Sequence, residues 1–364
     1  MKYILILVWI GFIAVIAKFV KFQRAENVFG KSQYRYPMWL AVLTFLPIIW
    51  LVGHRGWIGD TYAYVNNFYN MPDTFDGISN YLNTVEKDKG FHLFSCVLKT
   101  IIGNEKIIYL TIIAILQSFS LITVYRKYSS NYILSIFLFL ASADYISWMC
   151  NGLRQFFAVT IIFIATNLML KKKYIPLILV ILLASTFHQS ALIMIPIIFI
   201  AQGKAWNKKT LVFLTLSVLA VAYVGEFTNI MNDTLENTQY ADMTSDFMFT
   251  EDDGTNPLRV AIYSIPAVLS FFCRKNMCGK DSIIINLCTN MSIITMGIYL
   301  VSMFTSGIYI GRIPIYTSLY SYILLPWEIE HLFKEENRKY IYIFMIICYL
   351  IYYYYQMHVA WSIL

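Results

Sequence analysis

The sequence predicts an all-α integral membrane protein with about twelve transmembrane helices. Of its 364 residues, 59% are hydrophobic and 13% are charged, whereas a soluble domain is about 45–50% apolar and about 25% charged. Apolar stretches of spanning length recur along the whole chain, and the loops between them alternate between basic and acidic. This composition excludes a disordered chain, a coiled coil, a nucleic-acid-binding domain and a soluble enzyme.

A helix needs about 20 apolar residues to cross a hydrocarbon core about 30 Å thick. The stretches that qualify, in chain order, are 3–20, 37–53, 107–124, 132–149, 153–170, 174–187, 189–202, 210–225, 258–272, 282–302, 312–327 and 340–358. Two of them, 174–187 and 189–202, are short and meet at His188. The alternative is one helix across both, which Pro176 and Pro196 in its interior disfavour.

A further apolar stretch, 91–103, is too short to be a confident crossing. It contains Lys99, and Glu105 and Lys106 follow it closely. We therefore expect a short interfacial or re-entrant helix at this point in the chain.

The basic residues predict the orientation of the helices. If the loop after the first helix is cytoplasmic, 19 of the 28 Lys and Arg residues lie on the cytoplasmic side. A full crossing by 91–103 would reverse the later loops and destroy this bias, so we expect both termini outside. The first apolar stretch is expected to be a retained helix and not a cleaved signal. The whole chain, 1–364, is expected to form one transmembrane domain with long outer loops at 54–106 and 226–257.

The outer loop 226–257 is acidic. Its acids are Glu226, Asp233, Glu236, Asp242, Asp246, Glu251, Asp252 and Asp253, and it has no basic residue. The simplest interpretation is a solvated loop, with an entrance for a polar substrate as the alternative. A calcium site is a weaker option, because Asp252-Asp253-Gly254 lacks the spacing of a calcium loop. The six cysteines have no metal-binding spacing, and no cofactor or metal is predicted.

Polar side chains within or beside apolar helices are costly and tend to be functional. In the predicted topology they all lie at outer ends of helices, which indicates one site on that face. They are His54, Arg55, Asp60, Tyr64, Asp144, Arg154, Gln155, His188, Ser190, Arg259 and Arg312.

Three of the arginines are predicted at the beginning of a helix. Arg154 follows Asn151-Gly152, Arg312 precedes Pro314, and Arg259 follows Pro257. The free N–H groups of a helix N-terminus and a guanidinium fork both suit phosphate oxygens. The alternative for each arginine is a side chain that extends to the lipid head groups.

Two residues are candidates for a general base. His188 lies at the predicted turn between two short helices, where it can act near neutral pH or can be hydrogen-bonded for structure. Asp60 lies in the segment Gly56 to Tyr64, where it can be a base, pair with Arg55 or cap a helix that begins at Thr61. No Ser-His-Asp order, phosphate-binding glycine loop or zinc motif is present.

Several short motifs resemble those of one family. They are Arg55 to Tyr64 (RGWIGDTYAY), Lys89 to Leu93 (KGFHL), Leu153 to Ala158 (LRQFFA), the Lys171–Lys173 loop, Phe187 to Ile193 (FHQSALI), and Arg312 with Tyr316. In this order they are similar to the EpsG-like family of bacterial exopolysaccharide polymerases, which are related in role to the Wzy O-antigen polymerases.

The resemblance implies a glycosyltransferase of the GT-C kind in the bacterial inner membrane, with its site facing outward. Its partners would be donor and acceptor oligosaccharides linked to undecaprenyl diphosphate, the lipid bilayer, and a chain-length regulator or other assembly proteins. It would transfer glycan repeat units from the donor to the non-reducing end of the acceptor. A metal or nucleic acid is not expected.

The predicted site residues can be assigned to the steps of such a transfer. Arg154, Arg312, Arg55 and Arg259 would hold the diphosphate, and His188 or Asp60 would activate the acceptor hydroxyl. Gln155, Tyr64, Trp57 and Ser190 would contact the substrate.

Three other functions stay open at this stage. A flippase or transporter of lipid-linked oligosaccharide often has twelve helices, although it would place ionisable residues nearer the membrane midplane and show internal repeats. A membrane acyltransferase or ligase would perform one transfer and make no polymer. A scaffold component of an envelope complex would need no chemistry at all.

Overall fold

The structure is a computed structural model, and it describes residues 2–25, 33–235, 254–272 and 283–363. The acidic residues Glu236, Asp242, Asp246, Glu251, Asp252 and Asp253, and with them the possible calcium motif, lie outside the described residues. Two compact units are present, Met1–Leu192 with Phe333–Leu364, and Ile193–Leu332.

Helices make up nearly all the regular structure in the described part of the chain, which confirms the all-α prediction. Up to residue 187 they are α1 (Lys2–Ala17), α2 (Met38–Gly53), α3 (Thr61–Asn70), α4 (Phe75–Thr84), α5 (Lys89–Ile102), α6 (Lys106–Tyr128), α7 (Tyr132–Ala141), a π-helical turn (Tyr145–Asn151), α8 (Leu153–Ile164), α9 (Thr166–Leu170) and α10 (Tyr174–Phe187). A short antiparallel hairpin, β1 (Gln23–Ala25) with β2 (Gln33–Arg35), is the exception and was not predicted.

The remaining helices follow the joint at His188. They are a 3₁₀ turn (Gln189–Ile193), α11 (Met194–Ile200), α12 (Lys208–Ala222), α13 (Val224–Leu235), α14 (Pro257–Phe272), α15 (Ile283–Met303), a 3₁₀ turn (Ile310–Arg312), α16 (Ile315–Ser318), α17 (Ser321–Leu332), α18 (Glu335–Tyr355) and a π-helical turn (Gln356–Ala360).

Within the described residues, three helical segments are long and apolar enough to cross a membrane: Lys106–Tyr128, Ile283–Met303 and Glu335–Ala360. A fourth candidate is the bent pair Tyr132–Ala141 and Tyr145–Asn151. Six shorter apolar helices of 10–17 residues in the part of the chain that the structure describes coincide with other predicted crossings. The protein is therefore a membrane protein by helix length and composition, while the full set of twelve crossings stays a prediction.

The predicted stretch 132–149 is not one straight helix. Its two halves meet at an angle of 71°, and Ala143 between them has a left-handed backbone (φ 58°). Asp144 is fully buried at this bend and accepts a hydrogen bond from Trp148 Nε1 at 3.2 Å. The Asp144 carboxylate therefore stabilises the π-helical turn, which apolar periodicity alone does not predict.

The joint at His188 is confirmed. Helix α10 ends at Phe187, and His188 has an extended backbone (φ −158°, ψ 120°) before the 3₁₀ turn begins. Pro176 lies in the first turn of α10, where a missing N–H costs nothing. The alternative of one continuous helix across 174–202 is wrong.

The predicted stretch 312–327 is also divided. Arg312 ends a 3₁₀ turn, Pro314 is the N-cap of the four-residue α16, and α17 follows from Ser321. Arg312 therefore does not begin a regular helix as predicted. Proline fixes φ and has no N–H, so Pro314 suits the residue before a helix. Two helices begin after it, α16 at Ile315 and α17 at Ser321.

Candidate functional site

The site is built around Arg154, in the first turn of α8. Gly152 occupies the N-cap position, and α8 begins at Leu153. Arg154 Nη1 lies 2.9 Å from Asp88 Oδ2, where the Arg154 side chain is 36% exposed and that of Asp88 is 8% exposed. Because less water screens this pair than a surface pair, its Coulomb attraction is larger, while the burial of Asp88 adds a desolvation cost.

Asp88 precedes α5 and has a left-handed backbone (φ 56°). Its carboxylate makes no cap hydrogen bond to α5 and instead accepts one from the backbone N–H of Gln189. Burial raises the pKa of Asp88, while the charge of Arg154, the Gln189 N–H and Lys87 oppose that rise. Asp88 is not among the site residues predicted from the sequence.

The residues of α3 and α5 complete the surroundings of Arg154. The guanidinium lies 5.9 Å from the centre of the Tyr64 ring, within the range of a cation–π contact. Burial raises the pKa of Tyr64, and the charge of Arg154 opposes this effect. His92 Nδ1 lies 2.8 Å from the Tyr81 hydroxyl, and burial followed by the charge of Arg154 lowers the pKa of His92.

His188, Ser190 and Gln155 form a polar chain beside Arg154. The Nδ1 atom of His188 lies 2.7 Å from Ser190 Oγ, and Gln155 Nε2 donates to the same hydroxyl at 3.4 Å. Ser190 therefore orients the imidazole of His188 relative to α8. We name the group formed by Tyr64, Asp88, Arg154, Gln155, His188 and Ser190 the Arg154 site.

Phenylalanines beneath the site explain why these segments meet. Phe157 stacks on Phe187 with ring centres 5.0 Å apart and packs against Phe94 at 5.1 Å and Phe91 at 6.5 Å. Phe91 and Phe157 belong to a buried core with Val65, Phe68, Tyr109, Leu110, Ile113 and Leu153. Because α3, α5, α6 and α8 all contribute to this core, the polar residues above it are held on packed helices.

Arg55 and Asp60 have other surroundings. Arg55 is 6% exposed, and it donates from Nε to Thr61 Oγ1 and from Nη1 to the Met149 carbonyl, each at 2.9 Å. Asp60 is exposed, occupies the N-cap position of α3 without a side-chain cap, and is not paired with Arg55 among the described ion pairs. Asp60 is thus the N-cap residue of a helix that begins at Thr61, as one predicted alternative had it, although its side chain makes no cap hydrogen bond. The alternative of a pair with Arg55 is wrong for the residues that the structure describes.

Two aromatic rings near the start of α3 are exposed, that of Trp57 in the loop between α2 and α3 and that of Tyr62 in the first turn of α3. Trp57 is 61% exposed and Tyr62 is 65% exposed, and their ring centres are 5.7 Å apart in an edge-to-face arrangement. Lys106 Nζ lies 4.7 Å from the centre of the Trp57 ring. Trp57 is predicted from the sequence as a substrate contact, and its exposure leaves much of the ring accessible.

Arg259 and Arg312 belong to the second unit. The guanidinium of Arg259 lies 5.6 Å from the Tyr263 ring centre and 5.9 Å from that of Tyr299. Arg312 is half-buried at the end of its 3₁₀ turn. Their assignment to diphosphate binding stays a prediction. Among the described residues, no group of three or more His, Cys, Asp or Glu side chains is placed to hold a metal ion.

The fold and the Arg154 site define a helical membrane protein with a shielded ion pair and a polar chain supported by an aromatic core. A family model described as the EpsG family matches residues 38–362, and the chain belongs to this family. Membership confirms the family predicted from the motifs and indicates a polysaccharide polymerase in general. No curated protein matches the chain, and no solved structure matches it either.

Proposed function

We propose that the protein is a polysaccharide polymerase that transfers glycan repeat units from undecaprenyl diphosphate to the non-reducing end of another lipid-linked unit. The reaction takes place on the outer face of the bacterial inner membrane. The positive-inside bias of the sequence supports this orientation, because it places the segment 54–106 outside.

One observation supports the proposal most strongly. Four of the family motifs are separated in sequence but meet at one site. Three of them contribute Tyr64, Arg154 and His188, and the fourth begins the helix that follows Asp88. Short motifs that meet in space around a partly exposed arginine are typical of a site for an anionic substrate.

The chemistry of the transfer suits this arrangement. The bond between the anomeric carbon and a diphosphate oxygen breaks, and its electron pair stays with the diphosphate. Arg154 stabilises the negative charge that develops there, with help from the free N–H groups at the start of α8. The guanidinium fork favours a phosphate group over a single-point anion.

The remaining steps involve sugar binding and proton removal. Trp57 and Tyr62 provide exposed ring faces of the kind on which sugars stack, and Gln155 and Ser190 provide hydrogen-bond partners. The acceptor hydroxyl loses a proton as it attacks the anomeric carbon, so a base must lie beside it. His188 and Asp60 are the two candidates for this role that the sequence indicates.

The proposal is tested in a deletion strain of the source bacterium. The strain is complemented with the wild type, Arg154→Ala, or the control Lys171→Ala, which removes an exposed cation from the loop after α9. Surface polysaccharide and lipid-linked intermediates are separated on a gel. The wild type and Lys171→Ala are expected to give a ladder, and the deletion and Arg154→Ala a single repeat unit.

Two results would contradict the proposal. Loss of even the single repeat unit on the outer face would indicate a flippase or an earlier synthetic step. An unchanged ladder in the deletion strain would show that another protein performs the polymerisation.

A further inference from the structure

Asp88 lies beneath Arg154, and the two differ in accessibility. Only 8% of the Asp88 side chain is exposed, against 36% for Arg154. An anion that approaches the site therefore meets the guanidinium first, while the carboxylate behind it is shielded. As long as Arg154 Nη1 lies 2.9 Å from Asp88 Oδ2, that carboxylate is engaged with the guanidinium.

A diphosphate and Asp88 compete for the same guanidinium. The proposed donor carries two phosphate groups, each of which can accept a bidentate pair of hydrogen bonds from arginine. A diphosphate has more negative charge and more acceptor oxygens than one carboxylate. Its binding therefore draws Arg154 away from Asp88 and leaves the carboxylate with the Gln189 N–H as its remaining described hydrogen-bond donor.

We infer that Asp88 is a catalytic residue, the proton acceptor for the attacking hydroxyl, and that Arg154 withholds it until the donor diphosphate is bound. This inference rests on the proposed function and names a residue that the sequence analysis did not. The O–H bond of the acceptor breaks, and its proton passes to the Asp88 carboxylate. The hydroxyl oxygen forms the bond to the anomeric carbon, and the diphosphate leaves with the electron pair of the broken bond.

The charges around Asp88 are consistent with such a switch. On its own loop, Lys87 favours the ionised carboxylate, and Arg154 does so from α8. Other titratable groups on the surrounding elements include Tyr64 of α3, Tyr81 of α4, Lys89 and His92 of α5, and His188 at the end of α10. Since burial already raises the pKa of Asp88 against the pull of Arg154, removal of that pull raises it further and makes the carboxylate a stronger base.

The two bases proposed from the sequence are less suited to this step. Asp60 is exposed, so water keeps its carboxylate solvated. His188 is hydrogen-bonded through Nδ1 to Ser190, and its neutral imidazole, unlike a carboxylate, has no negative charge for a guanidinium to hold, so we assign it to positioning the acceptor. Asp88 forms an ion pair with Arg154 at 2.9 Å. It therefore links deprotonation to the arrival of the donor.

The test uses the full-length protein in lipid nanodiscs, with lipid-linked repeat units extracted from the deletion strain. Wild type, Asp88→Asn, Asp88→Glu and the control Asp73→Asn are compared, because Asp73 is an exposed acid of the same outer segment. Binding is measured with undecaprenyl diphosphate by the shift in melting temperature. Polymerisation is measured from pH 4.5 to 8.5 with the donor varied at saturating acceptor.

We expect Asp88→Asn to bind undecaprenyl diphosphate at least as tightly as the wild type and to polymerise about 10²-fold more slowly or worse. Asp88→Glu is expected to recover part of the rate. Its acidic limb, the fall in rate at low pH in the pH–rate profile, is expected at a different pH from that of the wild type. In the wild type, the acidic limb of kcat is expected at higher pH than that of kcat/KM for the donor. The reason is that kcat/KM reports the free enzyme and kcat the complex. Asp73→Asn should match the wild type.

Three outcomes would overturn the inference. The first is an Asp88→Asn variant that polymerises within about threefold of the wild type. The second is an acidic limb that stays in place in Asp88→Glu, and the third is coincident limbs for kcat and kcat/KM in the wild type. By contrast, a wild type that makes no polymer from lipid-linked units contradicts the proposed function itself, so the two failures are distinguishable.

Discussion

Gly90 of α5 packs directly against Thr186 of α10. A Cβ atom at Gly90 would stand 2.1 Å from Thr186 Oγ1 and 2.7 Å from Thr186 Cβ, distances that no real contact allows. This close approach brings the start of α5, next to Asp88, against the end of α10, next to His188. The glycine of one family motif and the threonine before another thus set the spacing of the Arg154 site.

Gly90→Ala is therefore expected to force α5 and α10 apart. We expect a loss of about 1–3 kcal/mol in stability from overpacking and a slower polymerisation, because Asp88 and Gln189 are displaced. The double variant Gly90→Ala/Thr186→Gly, which removes the clashing side chain, should recover part of both. Thermal unfolding and the polymer ladder are the measurements.

The matched control for this substitution is Gly11→Ala in α1, where nothing lies within 4 Å of the added Cβ. It should leave the ladder unchanged and the melting temperature the same or slightly higher, because alanine is favoured over glycine inside a helix. If Gly90→Ala behaves like Gly11→Ala, the spacing between α5 and α10 does not determine the site.

Arg154→Ala and Arg154→Lys test the guanidinium itself. Alanine removes the positive charge and is expected to abolish polymerisation, while lysine restores a charge without the fork and should recover only part of it. Membrane insertion and melting temperature are measured in parallel, since the Arg154 side chain is partly exposed and its loss should not unfold the protein. Chain lengths like those of the wild type in Arg154→Ala would exclude Arg154 from donor binding.

The sequence predicted much of the local structure near the site, because apolar periodicity and helix boundaries are local properties. It predicted a short helix at 91–103, where α5 runs from Lys89 to Ile102, and a break at His188, where α10 ends. It also predicted that Arg154 opens a helix, as it does. These features follow from the length of each apolar run and from the residues beside it.

Asp88 was missed because its role depends on tertiary structure. In sequence it is an acid between Lys87 and Lys89, a pattern typical of a solvated loop. Its burial appears only when α5 and α10 pack and Arg154 approaches from α8. The one local signal was its position directly before the Lys89–Leu93 motif. The bend at Ala143 was missed for a similar reason, since alanine gives no warning of a left-handed backbone.

His188→Gln separates positioning from proton transfer. If Asp88 is the base, we expect the rate to fall by about tenfold, as for the loss of a positioning group, with the acidic limb of the pH profile retained. Ser190→Ala should have a smaller effect in the same direction, because it releases the His188 ring. If His188 is the base, the rate falls by about 10²–10⁴-fold and the limb is lost.

His92 is expected to make stability depend on pH. Burial and the charge of Arg154 lower the pKa of His92 below its usual value of 6.5, so the unfolded chain binds the proton more readily than the folded one. The contribution of neutral His92 to the stability of the folded protein is therefore fully present above pH 6.5, and it is lost as the pH falls through the lowered pKa.

Asp88 has the opposite effect on the pH dependence of stability, because its pKa is raised. The contribution of His92 is therefore measured by comparing a His92 variant with the wild type. We expect the melting temperature of His92→Gln to change less between pH 7 and pH 5 than that of the wild type. Equal slopes in the two proteins would show that His92 titrates alike in the folded and unfolded states.

Arg55 differs from Arg154 because its guanidinium is buried and hydrogen-bonded to other parts of the fold. It is 6% exposed and donates to Thr61 Oγ1 and to the Met149 carbonyl. It thereby ties the start of α3 to the π-helical turn. Arg55→Lys loses this fork, so we expect a fall of about 1–3 kcal/mol in stability, larger than that for Arg154→Lys. Melting temperature and donor affinity are measured on both variants. Loss of donor affinity in Arg55→Lys at an unchanged melting temperature would instead support the diphosphate-binding role predicted for Arg55 from the sequence.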